Sequence, residues 1–473
     1  MNTSTQIPEP VTQATQATCT RAGQPERFPS QIKYIVGNEA CERFSYYGMM
    51  GILELYLARQ MKLGEAEATE VLHLFGGAVY FLPLLGGWLA DRWLGRYRTI
   101  LIISLFYCLG HGTLALFGTR PAGLFTGLAL IAFGAGGIKP CVSAFVGDQF
   151  GPNQQHLLMK VYGWFYWTIN LGAAAAFLLI PWIHTRAGYA WAFGVPGIAM
   201  AVATLIFWLG TKHYVRQPPA KNNERVRFIR IAWHALTHFH RSKASGGFWE
   251  TPRRNYSRRE IEDSRTVLRI LAIFGTIPMF WALFNQVNST WVLQGNHLQP
   301  WLFLNGETMQ GIGAILVMVW VPILTLGVYP WLERSGVQPT ALRRMSAGMV
   351  LGAVAFVLCG RLQAHLDQHE SLSIGWQLVP YFVLEAGEVM LSATALEFAF
   401  AQAPKPLKSL IMSLWLMTIA GGHFLIAVFT GLNEKYIHAT GAKEFYFYAL
   451  LMFVVAGLFI AIATRYRERV VPV

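Results

Sequence analysis

The feature that most constrains this chain is a series of apolar runs, each about as long as a lipid bilayer is thick. A helix needs about 20 apolar residues to cross roughly 30 Å of hydrocarbon. Charged residues make up only 13% of the chain, whereas a soluble domain has about a quarter. The sequence therefore predicts an all-α integral membrane protein with 12 transmembrane helices. The twelve runs are 33–58, 69–91, 99–118, 122–147, 160–183, 189–211, 267–291, 309–330, 343–362, 375–400, 408–431 and 444–465.

The basic residues indicate how the chain is oriented. An even number of crossings places both termini on one side, and Lys and Arg concentrate in cytoplasmic loops. On that side, residues 212–265 alone contain 13 Lys and Arg against 5 Asp and Glu. The net charge of +13 therefore reports topology rather than nucleic-acid binding. We expect a multi-pass protein of the plasma membrane, the inner membrane in a bacterium, with both termini cytoplasmic.

The polar segment 212–265 divides the chain into halves with six apolar runs each. Within it, residues 225–242 are basic and amphipathic, which is typical of a helix lying on the inner leaflet; a simple tether between the halves is the alternative. We expect His234, His238 and His240 to be solvated rather than to bind metal. The predicted domains are a disordered cytoplasmic tail (1–31), a six-helix bundle (32–211), a basic cytoplasmic linker (212–265) and a second six-helix bundle with a short tail (266–473).

Two six-helix halves joined by a long inner loop are the arrangement of major facilitator transporters, whose substrate site lies between the halves. The sequence GGWLADRWLGRYRT (86–99) resembles their G-x-x-x-D-R-x-G-R motif. Asp91, Arg92 and the following arginines can latch the inner ends of neighbouring helices and contribute to gating. A plain basic anchor is the alternative. We predict the major facilitator fold.

Ionisable residues at membrane depth are costly and normally face a partner or an aqueous cavity. Glu39, Glu42 and Arg43 are spaced i, i+3 and i+4, so they share one helical face, which Tyr46 and Tyr47 continue. A self-neutralising brace between helices is the alternative, but small apolar residues would build such a brace at lower cost. We favour a functional role for this cluster.

Further ionisable residues lie in other apolar runs. Lys139 either pairs with a glutamate of the first run or meets an anionic group, and Glu388 lies in the opposite half. A cavity with an acid on one wall and bases on the other suits a zwitterion. His73 forms either a hydrogen bond between helices or, with nearby acids, a proton site, because histidine titrates near neutrality. The remaining ionisable candidates are Glu54, His111, Glu385, Glu397 and His423.

No enzyme motif is found in the sequence. It contains no GxxxxGK[ST] nucleotide loop, no HExxH zinc motif and no GxSxG nucleophile turn. The cysteines are scattered and suggest neither a disulfide framework nor a metal site. We expect no enzyme activity, no cofactor and no metal, and secondary rather than ATP-driven transport.

Five motifs, in order along the chain, resemble those of the proton-dependent oligopeptide transporters, also called the peptide/nitrate transporter family. This resemblance implies the major facilitator fold and proton-coupled import of di- and tripeptides by alternating access. Transport of another anion or zwitterion, such as nitrate or an amino-acid derivative, is the alternative, although a pure anion gains nothing from Glu388. The motifs are ExxERFSYYGM (39–49), GAGGIKPCVSAFVGDQF (134–150), FYWTINLG (165–172), FWALFNQVNSTW (280–291) and LEFAFAQAP (396–404).

The resemblance also implies residue roles. Arg43 and Lys139 face the carboxyl end of the peptide, and Glu388 meets its amino group. We expect short peptides, protons and the lipid bilayer as partners, no nucleic acid, and a monomer. The residues implied to line the cavity are Tyr46, Tyr47, Tyr80 and Asn170, with Trp281 and Trp415 forming side-chain pockets. The residues linked to proton coupling are Glu39, Glu42 and His73.

Three positions depart from the family pattern. Many members have an arginine where this chain has Met50 and an acid where it has Asn285, and those two charges form an ion pair at the outer gate. Because both are absent here, the gate at Asn285 must close by other means. We therefore expect His73, with Glu39 or Glu42, to take a larger share of proton binding. Gly313 replaces an asparagine that helps to hold the peptide amino end in many bacterial members.

Overall fold

The structure, a computed structural model, describes residues 28–150, 154–219, 224–237, 249, 252, 255–404 and 407–466. Most of the predicted tail over 1–31 lies outside these described residues. So do His238, His240 and the end of the amphipathic run 225–242.

The described chain is built from α-helices. The first half contains α1 (Ile32–Leu55), α2 (Glu65–Phe81), α3 (Pro83–Leu89), α4 (Gly95–Phe117), α5 (Pro121–Asp148) and α6 (Gln155–Leu209). After α7 (Glu224–Thr237), the second half contains α8 (Arg258–Phe274), α9 (Ile277–Phe284), α10 (Thr290–Asn296), α11 (Met309–Pro322), α12 (Tyr329–Arg334), α13 (Ala341–Asp367), α14 (Leu378–Gln402), α15 (Lys408–Leu432) and α16 (Ala442–Arg465). Within the described ranges, β-structure is limited to isolated bridges.

Two helical segments are too long for a single crossing. Glu65–Phe117 and Lys160–Lys212 each contain 53 residues, whereas about 20 span a bilayer. Each is broken by a glycine with a positive φ, Gly95 at +73° and Gly188 at +78°. Glycine adopts this conformation without a steric penalty. The chain turns back at both residues, so each segment crosses twice.

Nine segments of the described chain are long and apolar enough to cross a membrane. Two of them are the double crossings at Gly95 and Gly188. The charged helix α1 is not among the nine, because Glu39, Glu42 and Arg43 lower its hydropathy. With the double segments divided and α1 added, the crossings correspond to the twelve predicted runs.

Each half of the molecule has its own hydrophobic core. One core is formed by residues between Ile32 and Tyr214, and the other by residues between Phe228 and Phe459. Bundles with separate cores can rotate against each other, which alternating access requires. The domain boundaries at 31, 211 and 265 remain predictions.

The linker helix α7 packs against α8. Phe228 and Ile231 are buried, whereas Trp233 and Leu236 are exposed. The α8 helix begins with a capping box, in which the Ser257 side chain accepts from the Glu260 backbone N–H and the Glu260 carboxylate accepts from that of Ser257. A membrane-surface location for α7 stays a prediction.

Candidate functional site

A cavity of about 220 Å³ lies between the two halves. The first half contributes a wall that is rich in tyrosine, and the second half contributes aromatic, amide and acidic side chains. Lining residues from the first half include Tyr46, Tyr47, Met50, Tyr80, Tyr166, Asn170 and Phe177. Lining residues from the second half include Trp281, Phe284, Asn285, Gln310, Glu385, Glu388 and His423.

The charged cluster of α1 lies behind this tyrosine wall. Arg43 Nε donates to Glu42 Oε2 at 2.5 Å and lies 3.3 Å from Glu39 Oε1. All three residues are buried, and none belongs to the described cavity lining. The ring centroids of Tyr46 and Tyr47 lie 5.7 and 5.9 Å from the Arg43 guanidinium carbon. The guanidinium therefore reaches the cavity wall through these two rings.

Lys139 approaches the same wall from α5. Its Nζ lies 3.8 Å from the ring centroid of Tyr80 and 4.4 Å from that of Tyr46, within the range of cation–π attraction. This buried atom has no hydrogen-bond partner among the residues that the structure describes. Of the two alternatives for Lys139, the arrangement favours an unpaired cation over a lysine–glutamate pair. An ammonium in this state attracts an anion.

The opposite wall carries two carboxyl groups. Glu385 and Glu388 lie one helical turn apart on α14, and both line the cavity. Glu388 Oε1 accepts a hydrogen bond from Ser392 Oγ at 2.6 Å. The cavity thus has acids on one side and buried cations behind the rings on the other, as expected for a zwitterion site. Glu385 was a minor candidate in the sequence, although its i, i+3 spacing from Glu388 places both side chains on one helical face.

The two predicted tryptophans occupy different layers. Trp281 lines the cavity, whereas Trp415 lies outside the lining that the structure describes. The ring centroid of Trp415 is 6.0 Å from that of Trp281 and 5.6 Å from that of Phe274. Trp415 therefore supports the wall from behind. Asn170 does line the cavity, and its Nδ2 donates to the Tyr166 carbonyl at 2.9 Å.

His73 joins the two halves. Its Nδ1 lies 2.9 Å from Nδ1 of His423 on α15, and its Nε2 lies 2.8 Å from Ser289 Oγ at the start of α10. We expected His73 to act with Glu39 or Glu42, but its described hydrogen-bond partners are His423 and Ser289. His423 also lines the cavity, and its ring stacks on Tyr80 at 5.9 Å.

Glycines allow α2 and α15 to meet at this histidine pair. A Cβ at Gly76 would lie 2.5 Å from His423 Cε1, and one at Gly77 would lie 2.5 Å from Phe424 Cε1. The contact lies toward the side where α1 ends and α2 begins, which we call the distal face. The side where α1 begins and α16 ends is the terminal face.

Other contacts between the halves also lie toward the distal face. Gln310 Nε2 donates to the Gly51 carbonyl at 3.2 Å, and His184 Nδ1 lies 3.8 Å from Glu307 Oε1. Among the described residues, these contacts join the two halves at the distal face without an Arg–acid pair. Asn285 lines the cavity below these contacts, and its buried Nδ2 has no partner among the described residues.

Replacing Gly76 by alanine is expected to weaken the distal closure, because the new methyl group would overlap the His423 ring. Overpacking of this kind costs about 1–3 kcal/mol. Thermal unfolding of the detergent-purified protein measures the loss. Gly112→Ala is the matched control, because a Cβ at this helical glycine meets nothing within 4 Å. Equal melting temperatures for the two variants would contradict the close packing at Gly76.

Comparison with known proteins identifies the family. The sequence profile described as "PTR2: POT family" matches residues 97–445. The chain belongs to the POT family. It is 35% identical over 366 residues to solute carrier family 15 member 2 of Mus musculus. This match covers 72% of the present chain and 50% of the relative. It is also 35% identical over 383 residues to peptide transporter family 2 of Caenorhabditis elegans, in a match that covers 72% of the present chain and 48% of the relative. The chain spans about half the length of these curated relatives.

Solved structures of POT transporters have the same fold. An auto-inhibited POT family peptide transporter superposes with a TM-score of 0.86 and 38% identity, covering 94% of this chain and 99% of the other. A proton dependent oligopeptide (POT) family transporter superposes with a TM-score of 0.75 and 37% identity, covering 92% of this chain and 100% of the other. The predicted family and fold class are confirmed.

The motif that this POT chain shares with major facilitators lies at the terminal face. Asp91 and Arg92 lie in the short π-helix Ala90–Leu94, just before Gly95. The ion pair that fastens α4 to the end of α5 joins Arg96 Nη1 to Asp148 Oδ1 at 2.5 Å. Asp148 was missed as a partner, although it stands in the quoted motif 134–150. The gating roles of Asp91 and Arg92 stay predictions.

Two other ionisable candidates lie apart from the cavity. Glu397 pairs with Arg344 at 3.1 Å toward the terminal face. His111 Nε2 lies 3.0 Å from Ser45 Oγ within the first half. Neither residue belongs to the described cavity lining.

Proposed function

We propose that this chain is a proton-coupled symporter that imports di- and tripeptides by alternating access. The observation that carries the proposal is the polarity of the cavity between the halves. Glu388 supplies an acid on the α14 wall, and Lys139 supplies an unpaired cation behind the opposite wall. A peptide presents an ammonium and a carboxylate at its ends whatever its side chains, so charged walls and aromatic surfaces suit many peptides.

The proposed substrate contacts follow this polarity. Glu388 receives the peptide ammonium, while Lys139 and Arg43 receive its carboxylate. Trp281 accommodates a peptide side chain, supported from behind by Trp415. The side chains proposed to line the peptide between its ends are Tyr46, Tyr47, Tyr80 and Asn170.

Proton coupling is proposed to act through the partners of Arg43. Glu42 and Glu39 both form ion pairs with the guanidinium group of Arg43. Protonation of either carboxylate weakens that hold, because a neutral acid loses its charge attraction. Arg43 can then turn toward the peptide carboxylate. Substrate binding and proton binding thereby favour the same state, which is the requirement for symport.

Gating is proposed to alternate between the two faces. At the distal face, His73 and His423 close the cavity in the present state. At the terminal face, Asp91 and Arg92 hold the helix ends together when the halves rock in the other direction. Asn285 is neutral, so the cavity wall can rearrange at this position without exposing a charge. Rocking of two six-helix bundles about a central site is the general mode of this fold.

The proposed setting is the plasma membrane, with both termini in the cytoplasm and the distal face outside. Peptides, protons and lipid are the proposed partners, and nucleic acid is not one. The proposed transporting unit is a monomer. The excess of Lys and Arg in residues 212–265 supports this orientation.

Competition for uptake of labelled di-alanine tests the proposed substrate class. Acetylation of the peptide amino group or amidation of its carboxylate is expected to weaken competition at least about tenfold, because each leaves buried charges unpaired. In the variant Glu388→Gln, acetylation should lose most of its effect, whereas amidation should keep it. Nitrate that competes as well as di-alanine would instead favour an anion carrier.

A further inference from the structure

The α14 wall carries more acid than one peptide ammonium requires. Glu385 and Glu388 both line the cavity at an i, i+3 spacing. Each has an Oε2 atom that is buried and has no hydrogen-bond partner in the described part of the chain. Glu385 is 3% exposed. Two carboxylates brought together at membrane depth repel each other, and a cation between them removes that repulsion.

The backbone of α11 makes room for Glu385. A Cβ atom at Gly313 would lie 2.6 Å from Glu385 Oε1 and 3.5 Å from the ring of Tyr381. Any larger residue at position 313 would therefore displace the carboxyl group. The side chain of Glu385 occupies space that a side chain from α11 would otherwise fill. The position of Glu385 in the cavity wall therefore depends on both α11 and α14.

No lysine or arginine is among the cavity-lining residues that the structure describes. The buried cations Arg43 and Lys139 lie behind the rings of the opposite wall, and Arg43 already has two acidic partners. The described lining therefore offers no Lys or Arg charge to compensate the second acid, and a cationic substrate can supply that charge.

We propose that Glu385 and Glu388 form a subsite for two positive charges at the amino end of the substrate. The preferred substrate is a peptide whose first residue bears a side-chain amine, such as lysine. Residues spaced i, i+3 have Cβ atoms about 5–6 Å apart, and the flexible four-carbon stem of lysine lets its two ammonium groups reach both carboxylates. This inference rests on the proposed function, because it assigns the peptide amino end to α14.

Competition with labelled di-alanine tests the subsite in proteoliposomes. Lysyl-alanine, its neutral analogue norleucyl-alanine and the reversed peptide alanyl-lysine are compared. The wild type should favour lysyl-alanine over norleucyl-alanine by at least about tenfold, since a desolvated charge pair is gained. Glu385→Gln should lower the affinity for lysyl-alanine at least about tenfold more than the affinity for norleucyl-alanine, because only the first peptide presents a second ammonium group.

Two further variants separate loss of the subsite from misfolding: one is a second test of the Glu385 position, and the other is a control. Gly313→Ala keeps Glu385 but displaces its carboxyl group, so it should lose the same preference. Glu397→Gln changes an acid on the same helix outside the cavity and should keep it. A wild type that does not distinguish lysyl-alanine from norleucyl-alanine, or that favours alanyl-lysine, overturns the subsite. An undiminished preference in Glu385→Gln also overturns it.

Calorimetric binding to the purified protein separates this inference from the proposed function. If di-alanine is not taken up, the proposed transport fails. Selective binding of lysyl-alanine that is lost in Glu385→Gln would still support the subsite. Uptake of di-alanine without any lysyl selectivity supports transport and contradicts the subsite.

Discussion

Glu42→Gln is expected to reduce proton-driven accumulation of di-alanine at least about 30-fold while leaving peptide exchange across the membrane. The glutamine in this variant can neither bind nor release a proton, and its amide group has nearly the same volume as the carboxylate it replaces. Arg43 then remains with Glu39, at 3.3 Å, as its described acidic partner. Removing one member of a buried charge pair costs about 2–5 kcal/mol, which corresponds to a decrease of at least about 30-fold in proton-driven accumulation.

The measurement compares two assays on the same proteoliposomes. Gradient-driven accumulation should fall at least about 30-fold, whereas counterflow of labelled against unlabelled di-alanine should continue because it needs no net proton movement. Glu397→Gln, whose acid pairs with Arg344 away from the cavity, should behave like the wild type in both assays. Wild-type accumulation by Glu42→Gln would exclude Glu42 from proton coupling.

His73→Ala and His423→Ala are each expected to reduce proton-driven uptake about tenfold, because each leaves its buried partner without a hydrogen bond, at a cost of about 1–3 kcal/mol. The double variant should be no worse than the more damaging single one, because partners in one contact are not additive. The pair bridges the halves through two Nδ1 atoms 2.9 Å apart. One ring must donate and the other accept. When both rings are doubly protonated, both nitrogens are donors and the contact opens.

Neighbouring side chains hold the two rings in place. Ser289 Oγ lies 2.8 Å from Nε2 of His73, and the ring of Tyr80 stacks on that of His423. Uptake measured from pH 5 to 8 checks the prediction, with the exposed His365 as the control for histidine loss. Intact pH-driven uptake in His73→Ala, or additive losses in the double variant, would show that the pair is not a gate.

The sequence could predict those parts of the structure that depend on local spacing. The apolar runs gave the helices, and the i, i+4 spacing of Glu39 and Arg43 gave their ion pair, because residues at this spacing are neighbours on any helix. The family motifs gave the fold. The predicted runs already separate at 92–98 and 184–188, which contain Gly95 and Gly188, but the positive φ angles of these glycines could be seen only in the structure.

Contacts between distant segments could not be predicted in the same way. His73 and His423 are 350 positions apart, and the residues around each histidine do not indicate that the other is its partner. The displacement of Trp415 behind Trp281 depends on how α9 and α15 pack. The location of Glu385 depends on the absence of a side chain at Gly313, which lies on another helix. Each of these features arises when the helices pack together.

Uptake of labelled di-alanine into proteoliposomes, with and without an inward proton gradient, tests the proposed symport most directly. We expect accumulation above the external concentration when the outside is acidic, and its collapse when a protonophore dissipates the gradient. Equilibration without accumulation is expected when no gradient is present. Protein that is folded and binds di-alanine, but that accumulates none of it in response to the gradient, would contradict proton-coupled peptide import.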